Sequence, residues 1–87
     1  MANSAFLTAF EALPVGTFRG AAHGSNYIVT RAQVAGGRAE KLVAEALDGS
    51  DYISLNLYRL AAGPLLKPCE MPSQKVIDFV LALQTAP

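Results

Sequence analysis

One cysteine and one histidine are all that this 87-residue chain offers toward soft-metal binding or classical nucleophile-base chemistry. A lone cysteine cannot close an internal disulfide, so the fold does not depend on an oxidising compartment. Cys69 and His23 together fall short of the three or four ligands of a zinc site, and no carboxylate stands at a spacing that completes one. No metal and no cofactor is expected. Charge is scarce as well: 16% of residues are charged, seven basic against seven acidic, and they are scattered. Without a run of lysine or arginine there is no basic field for nucleic acid or for an anionic membrane surface. Long apolar runs are missing too. The most apolar stretch, residues 76–83, is interrupted by Asp78 and is too short to span a bilayer. No basic residue precedes the apolar part of the N-terminal segment, so a secretory signal is not expected and a cytoplasmic location is. The glycines form no phosphate loop. Ala35-Gly36-Gly37-Arg38-Ala39 lacks the lysine and serine of a P-loop, and no G-x-G-x-x-G run leads from a strand into a helix.

What is present is a globular composition, 52% hydrophobic, in a chain long enough for one domain over residues 1–87 with one core. Asn3 or Ser4 can cap a first helix whose Phe6, Leu7, Phe10 and Leu13 fall on one stripe, with Pro14 and Gly16 ending it. From Thr17 on, Gly24, Gly36-Gly37, Asp48-Gly49 and Gly63-Pro64 recur about every dozen residues, the spacing of successive hairpins. Gly-Gly and Asp-Gly accept positive φ at both central positions of a tight type I′ turn. Four strands are predicted, at 17–22, 26–35, 38–47 and 50–61.

Two-residue turns at Gly36-Gly37 and Asp48-Gly49 set Leu42 opposite Arg31 and Leu55, and Ala44 opposite Val29 and Ile53. With Gly24-Ser25 as the first turn, Phe18, Gly20, Tyr27, Val29, Leu42, Ala44, Ala46, Ile53, Leu55 and Leu57 share one side. Arg19, Ile28, Thr30, Lys41, Val43, Glu45, Tyr52, Ser54, Asn56 and Tyr58 share the other. A slip of one residue would invert a strand and mix these sets, so the sorting supports the register. Residues 38–47 are also good helix formers with a helical apolar stripe. The hairpin turns on both sides favour the strand.

Prolines at 64, 68 and 72 bar the next segment from a central strand position and make it a rigid connector along the sheet edge or over the core. Ser73 then caps a last helix through Leu83, with Val76, Ile77, Val80, Leu81 and Leu83 apolar. Residues 85–87 read as a frayed end. The expected architecture is α+β: a two-layer sandwich of a four-stranded antiparallel meander with N- and C-terminal helices packed on its apolar face.

The candidate binding surface is the opposite face. Tyr52, Ser54, Asn56 and Tyr58 alternate along one strand, with Glu45, Val43, Lys41 and Ala39 as cross-strand neighbours and Ile28 and Thr30 beyond. Tyrosines bury much area while keeping a polar tip, and aromatic residues are enriched in interfaces. Exposed sheet positions favour tyrosine on their own account, which is the plainer explanation. Arg31 is expected on the covered side, paired with Glu40 or marking a polar cleft between helix and sheet. Glu40 and Glu45 point to opposite faces, so they cannot flank one substrate as an acid/base pair. With Asp48 and Asp51 they read as solvated charges. Cys69 is the weak catalytic candidate. It precedes a helix start and has Lys67 nearby, a setting that activates cysteine, but Glu70 opposes this and no base is evident. Packing under the connector is the plainer role.

Gly36-Gly37-Arg38 through Lys41-Leu42, Asp51-Tyr52 through Tyr58, and Leu66-Lys67-Pro68-Cys69-Glu70-Met71-Pro72 with Lys75-Val76 resemble a group of short bacterial proteins. Some members of that group are called peptide methionine sulfoxide reductases. The resemblance covers most of the chain after Gly16. It implies a cysteine nucleophile attacking a sulfoxide, with Cys69 in that role. The chain departs from both reductase types: it has no Gly-Cys-Phe-Trp segment, no tryptophan and no paired Cys-x-x-Cys motif. No function is carried over from the resemblance. The leading expectation is a non-enzymatic module that forms a homodimer or docks a protein partner or ligand through the tyrosine-bearing face. The alternative is a thiol-dependent enzyme or sensor using Cys69.

Overall fold

A six-stranded antiparallel sheet carries two helices on one face in the computed structural model, which describes residues 4–86. In chain order the elements are α1 (Ser4–Glu11), β1 (Gly16–Ala22), β2 (Ser25–Val34), β3 (Ala39–Ala46), β4 (Tyr52–Leu60), β5 (Gly63–Pro68), α2 (Ser73–Ala82) and β6 (Gln84–Thr85). The strands lie in the order β5-β4-β3-β2-β1-β6. The class is α+β as expected, with two strands more than the four predicted. Residues 39–46 form a strand, so pairing with both neighbours overrides their local helix propensity.

The first extra strand is β5, inside the segment taken for a connector. It pairs with β4 from Leu60↔Gly63 to Leu55↔Pro68. The ladder continues as the Cys69 N–H donates to the Ser54 carbonyl at 3.0 Å. Odd-numbered residues of β5 therefore face β4, and Pro64 and Pro68 place their missing N–H sites at the outer edge, where no donor is needed. The second is β6, which pairs Gly20↔Thr85 and Ala21↔Gln84 and is extended by the Ala86 N–H donating to the Arg19 carbonyl at 2.9 Å. Residues 85 and 86 are thus tied to the sheet rather than frayed, while Pro87 lies outside the described residues.

The predicted registers of β2 with β3 and of β3 with β4 are those observed: Arg31↔Leu42, Val29↔Ala44, Leu42↔Leu55 and Ala44↔Ile53. Gly36 and Gly37 turn with φ of 68° and 89°, the positive pair that a type I′ turn requires. The Asp48-Gly49 connection keeps its register with a different turn. Only Gly49 has positive φ, the Gly49 N–H donates to the Ala46 carbonyl, and the Asp48 carboxylate accepts from the Ser50 N–H. The first hairpin turns at His23-Gly24, both at positive φ, rather than at Gly24-Ser25, and pairs Ala22 with Ser25. Moving the turn by one residue shifts the pairing by two, which preserves side-chain parity and hence the sorting of faces.

The core lies between the inner face and the helices. Phe6, Phe10, Val76, Phe79 and Val80 pack on Tyr27, Val29, Leu42, Ala44, Ile53, Leu55 and Leu57. Two details of α2 differ from expectation. Its cap is the extended Pro72, with no side-chain cap bond from Ser73. Phe79 rather than Leu81 is buried, and Leu81 is 49% exposed. Asn3, the other proposed cap of α1, lies outside the described residues. Among the described residues no helix is long and apolar enough to cross a membrane.

Candidate interaction surface

Antiparallel pairing arranges the outer sheet face into rows that can be read from the register. One row is Val34, Ala39, Tyr58 and Leu65; the next is Ala32, Lys41, Asn56 and Lys67. A middle row holds Thr17, Thr30, Val43 and Ser54, with Cys69 at its end. Beyond it come Arg19, Ile28, Glu45 and Tyr52. Tyr52 and Tyr58 are 48% and 37% exposed, and Val34 and Leu60 are each more than half exposed. Lys41 and Glu45 are exposed, while Ile28, Val43 and Asn56 are half-buried. Every predicted cross-strand neighbour of the tyrosine strand is in place.

Of the candidate binding residues, Ser54 is less accessible than expected, and Arg31 lies on the covered side as expected. Ser54 is 3% exposed although it points outward, because the segment expected as a connector is a paired strand: β5 and Cys69 flank it. Arg31 is on the opposite side of the sheet and 6% exposed. Its Nε donates to Glu40 Oε1 at 2.7 Å, its Nη1 donates to the carbonyls of Phe10 (3.2 Å) and Leu13 (2.6 Å), and its guanidinium stacks on the Phe10 ring. It thereby satisfies carbonyls at the C-terminal end of α1, where a cation is favoured. Arg31 itself occupies the position imagined as a polar cleft.

Glu40 is not a solvated charge. It is 1% exposed and is held by Arg31 on one oxygen and Arg59 on the other, and Arg59 also reaches Glu11 at 3.0 Å. Burial alone would raise the Glu40 carboxyl, but the hydrogen bonds and charges of the two guanidiniums outweigh it and hold the carboxyl below its ordinary value. Sequence reasoning missed Arg59. The signal was available: Glu40 pairs with Leu57, and Arg59, two residues on, is its diagonal neighbour on the same face.

A second polar link also escaped the sequence. The Tyr27 hydroxyl donates to Asp51 Oδ2 at 2.8 Å, and Lys75 of α2 reaches Asp51 Oδ1 at 2.9 Å. Burial first, then the bond to Asp51 and nearby carboxylate charge, push the Tyr27 phenol up to about 12. It is a fixed donor tying sheet to helix, while its ring meets Phe79 edge-on at 4.8 Å.

Cys69 is half-buried at the β5 edge, and the polar group beside its sulfur is the Asn56 amide at 3.5 Å. His23 stands in the β1–β2 turn, with β4 and β3 separating its hairpin from β5 in the sheet order. Among the described residues no three His, Cys, Asp or Glu side chains gather as a metal site. A shallow cleft of about 460 Å³ lies beside β6, with Arg19, Asn26, Leu47, Gln84 and Thr85 in its lining. Searches of family models, curated proteins and solved structures find no match to this chain.

Proposed function

We propose that this chain is an interaction module rather than an enzyme, and that the outer sheet face is its docking surface. One observation carries the reading. Both helices are spent on the inner face, while the outer face keeps Tyr52, Tyr58, Val34 and Leu60 exposed around the half-buried Ile28 and Val43, with no element laid over them among the described residues. Aromatic anchors, aliphatic filler and hydrogen-bonding groups on a rigid sheet are the ingredients of a protein interface. The thiol alternative lacks a comparable set, since the group at the Cys69 sulfur is an amide and not a base.

The test is photo-crosslinking in the native cells. A benzophenone side chain at Tyr52, on the proposed surface, is compared with one at Gln74, an exposed position on α2. A discrete covalent product from position 52 and none from position 74 is expected. No product from position 52, or the same product from both, would overturn the reading.

A further inference from the structure

Resting on that docking surface, we infer that its occupant is a second copy of this chain, stacked face to face about a two-fold axis that runs across the strands at Val43. Charge placement carries this. Lys41 and Glu45 sit on the outer face of β3, both exposed and neither ion-paired among the described residues. They are four residues apart, about 13 Å along a strand and too far to pair with each other. Val43 is midway between them.

Face-to-face two-fold stacking has two simple arrangements. An axis along β3 sets each residue of that strand over itself, lysine on lysine and glutamate on glutamate. An axis across the strands at Val43 reverses the second copy, so Lys41 meets the partner's Glu45 and Glu45 meets the partner's Lys41. A two-fold interface is self-complementary in this way, each contact occurring twice.

The neighbouring rows follow the same operation. Asn56, beside Lys41, meets the partner's Tyr52, beside Glu45, giving an amide a phenol to bond. Ala39, two rows from the axis, meets the partner's Leu47, which is 52% exposed in the single chain. The axis row itself, Thr30, Val43 and Ser54, carries small side chains that let two sheets approach to about 10 Å. Five rows over four to five strands give a footprint of roughly 500 Å² per copy from strand and row spacings. Both copies together bury about 1,000 Å², the lower limit for a specific interface, so the dimer is concentration-dependent.

Sedimentation velocity from low micromolar to near millimolar concentration tests the inference, using wild type, Lys41→Glu, Glu45→Lys and the double reversal. Both positions are exposed, so all four proteins fold. Each single reversal creates two like-charged pairs per dimer and should weaken association at least about tenfold, while the double reversal restores it to within about threefold of wild type. Association that ignores the single reversals, or a double reversal no better than its parents, overturns the register. A wild type that stays monomeric throughout overturns the second copy. The crosslink from position 52 separates the two proposals: a product of twice the chain mass supports both, and one of another mass keeps the docking surface while removing the second copy.

Discussion

Glu40→Gln removes one charge while leaving the shape of the side chain and one acceptor oxygen. In the folded protein Arg31 then loses its counter-ion although it remains almost fully buried, its other bonds going only to the neutral carbonyls of Phe10 and Leu13. Arg59 is less affected, being a third exposed and still paired with Glu11. Breaking one partner of a buried ion pair costs about 3–5 kcal/mol. The retained amide oxygen brings the expectation to the lower end, about 3 kcal/mol. A domain of this length has about 4–13 kcal/mol in total, so the variant loses a large share of its stability. Each kcal/mol corresponds to about 4–8 °C in melting temperature for a domain of this size, and the melt should fall by about 12 °C or more. Urea unfolding at neutral pH, followed by circular dichroism because the chain has no tryptophan, gives the free energy. The companion Arg31→Met/Glu40→Gln double variant should recover part of the loss by removing the stranded charge, though the Leu13 carbonyl loses its Arg31 donor while the Phe10 carbonyl keeps the Leu13 N–H. A Glu40→Gln cost below about 1 kcal/mol, the range of an exposed ion pair, would refute the picture of a charge isolated from solvent.

Three further outcomes follow from the geometry. At Gly20 an added Cβ would lie 2.7 Å from Leu83 Cδ1 and 3.0 Å from the Gln84 carbonyl oxygen; Gly20→Ala should cost about 1–3 kcal/mol and speed hydrogen exchange at the Ala86 N–H, which a purely local change would leave protected. The Glu40 and Asp51 carboxyls are held below their ordinary values, Glu40 by its guanidiniums against burial and Asp51 chiefly by Lys75. Their contribution is therefore complete above the unfolded carboxylate range near 4 and is lost as pH falls through the lower folded values, so urea midpoints should drop on acidification and the drop should flatten in Glu40→Gln. Tyr27 runs the other way: its phenol is raised to about 12, so its contribution is intact below the unfolded value of about 10 and is lost as pH climbs toward 12. Tyr27→Phe should abolish that alkaline loss, as read from unfolding midpoints between those values.

The meander was legible because its turns fix parity. Once Gly36-Gly37 and Asp48-Gly49 are turns, alternation assigns every side chain of three strands, Arg31 and Glu40 included. Even the misplaced first turn left the faces intact, since the displacement was even. β5 was hidden because its prolines, which bar only a central strand position, read as a rigid connector, and only the observed phase, with Cys69 donating to Ser54, reveals them on the free side. A two-residue strand such as β6 has no periodicity to detect, and its existence depends on Gly20 leaving room for Leu83 and Gln84. Of the interaction surface, the tyrosine strand and its neighbours were readable from alternation. The burial of Ser54 was not, because it depends on that unforeseen edge.

The placement of α1 and α2 has a consequence for synthesis. The two helices lie at opposite ends of the described chain, yet both are needed to close one core: α1 supplies Phe6 and Phe10, and α2 supplies Val76, Phe79 and Val80. On the ribosome, hairpins β1 to β5 can pair as they emerge, each contact being local and quickly made. Their inner face, with Leu42, Leu55 and Leu57, nevertheless stays half-lidded until the last turns of α2 clear the exit channel. The nascent meander therefore carries an incompletely covered apolar face until α2 emerges, and the commitment to the native state waits for that helix.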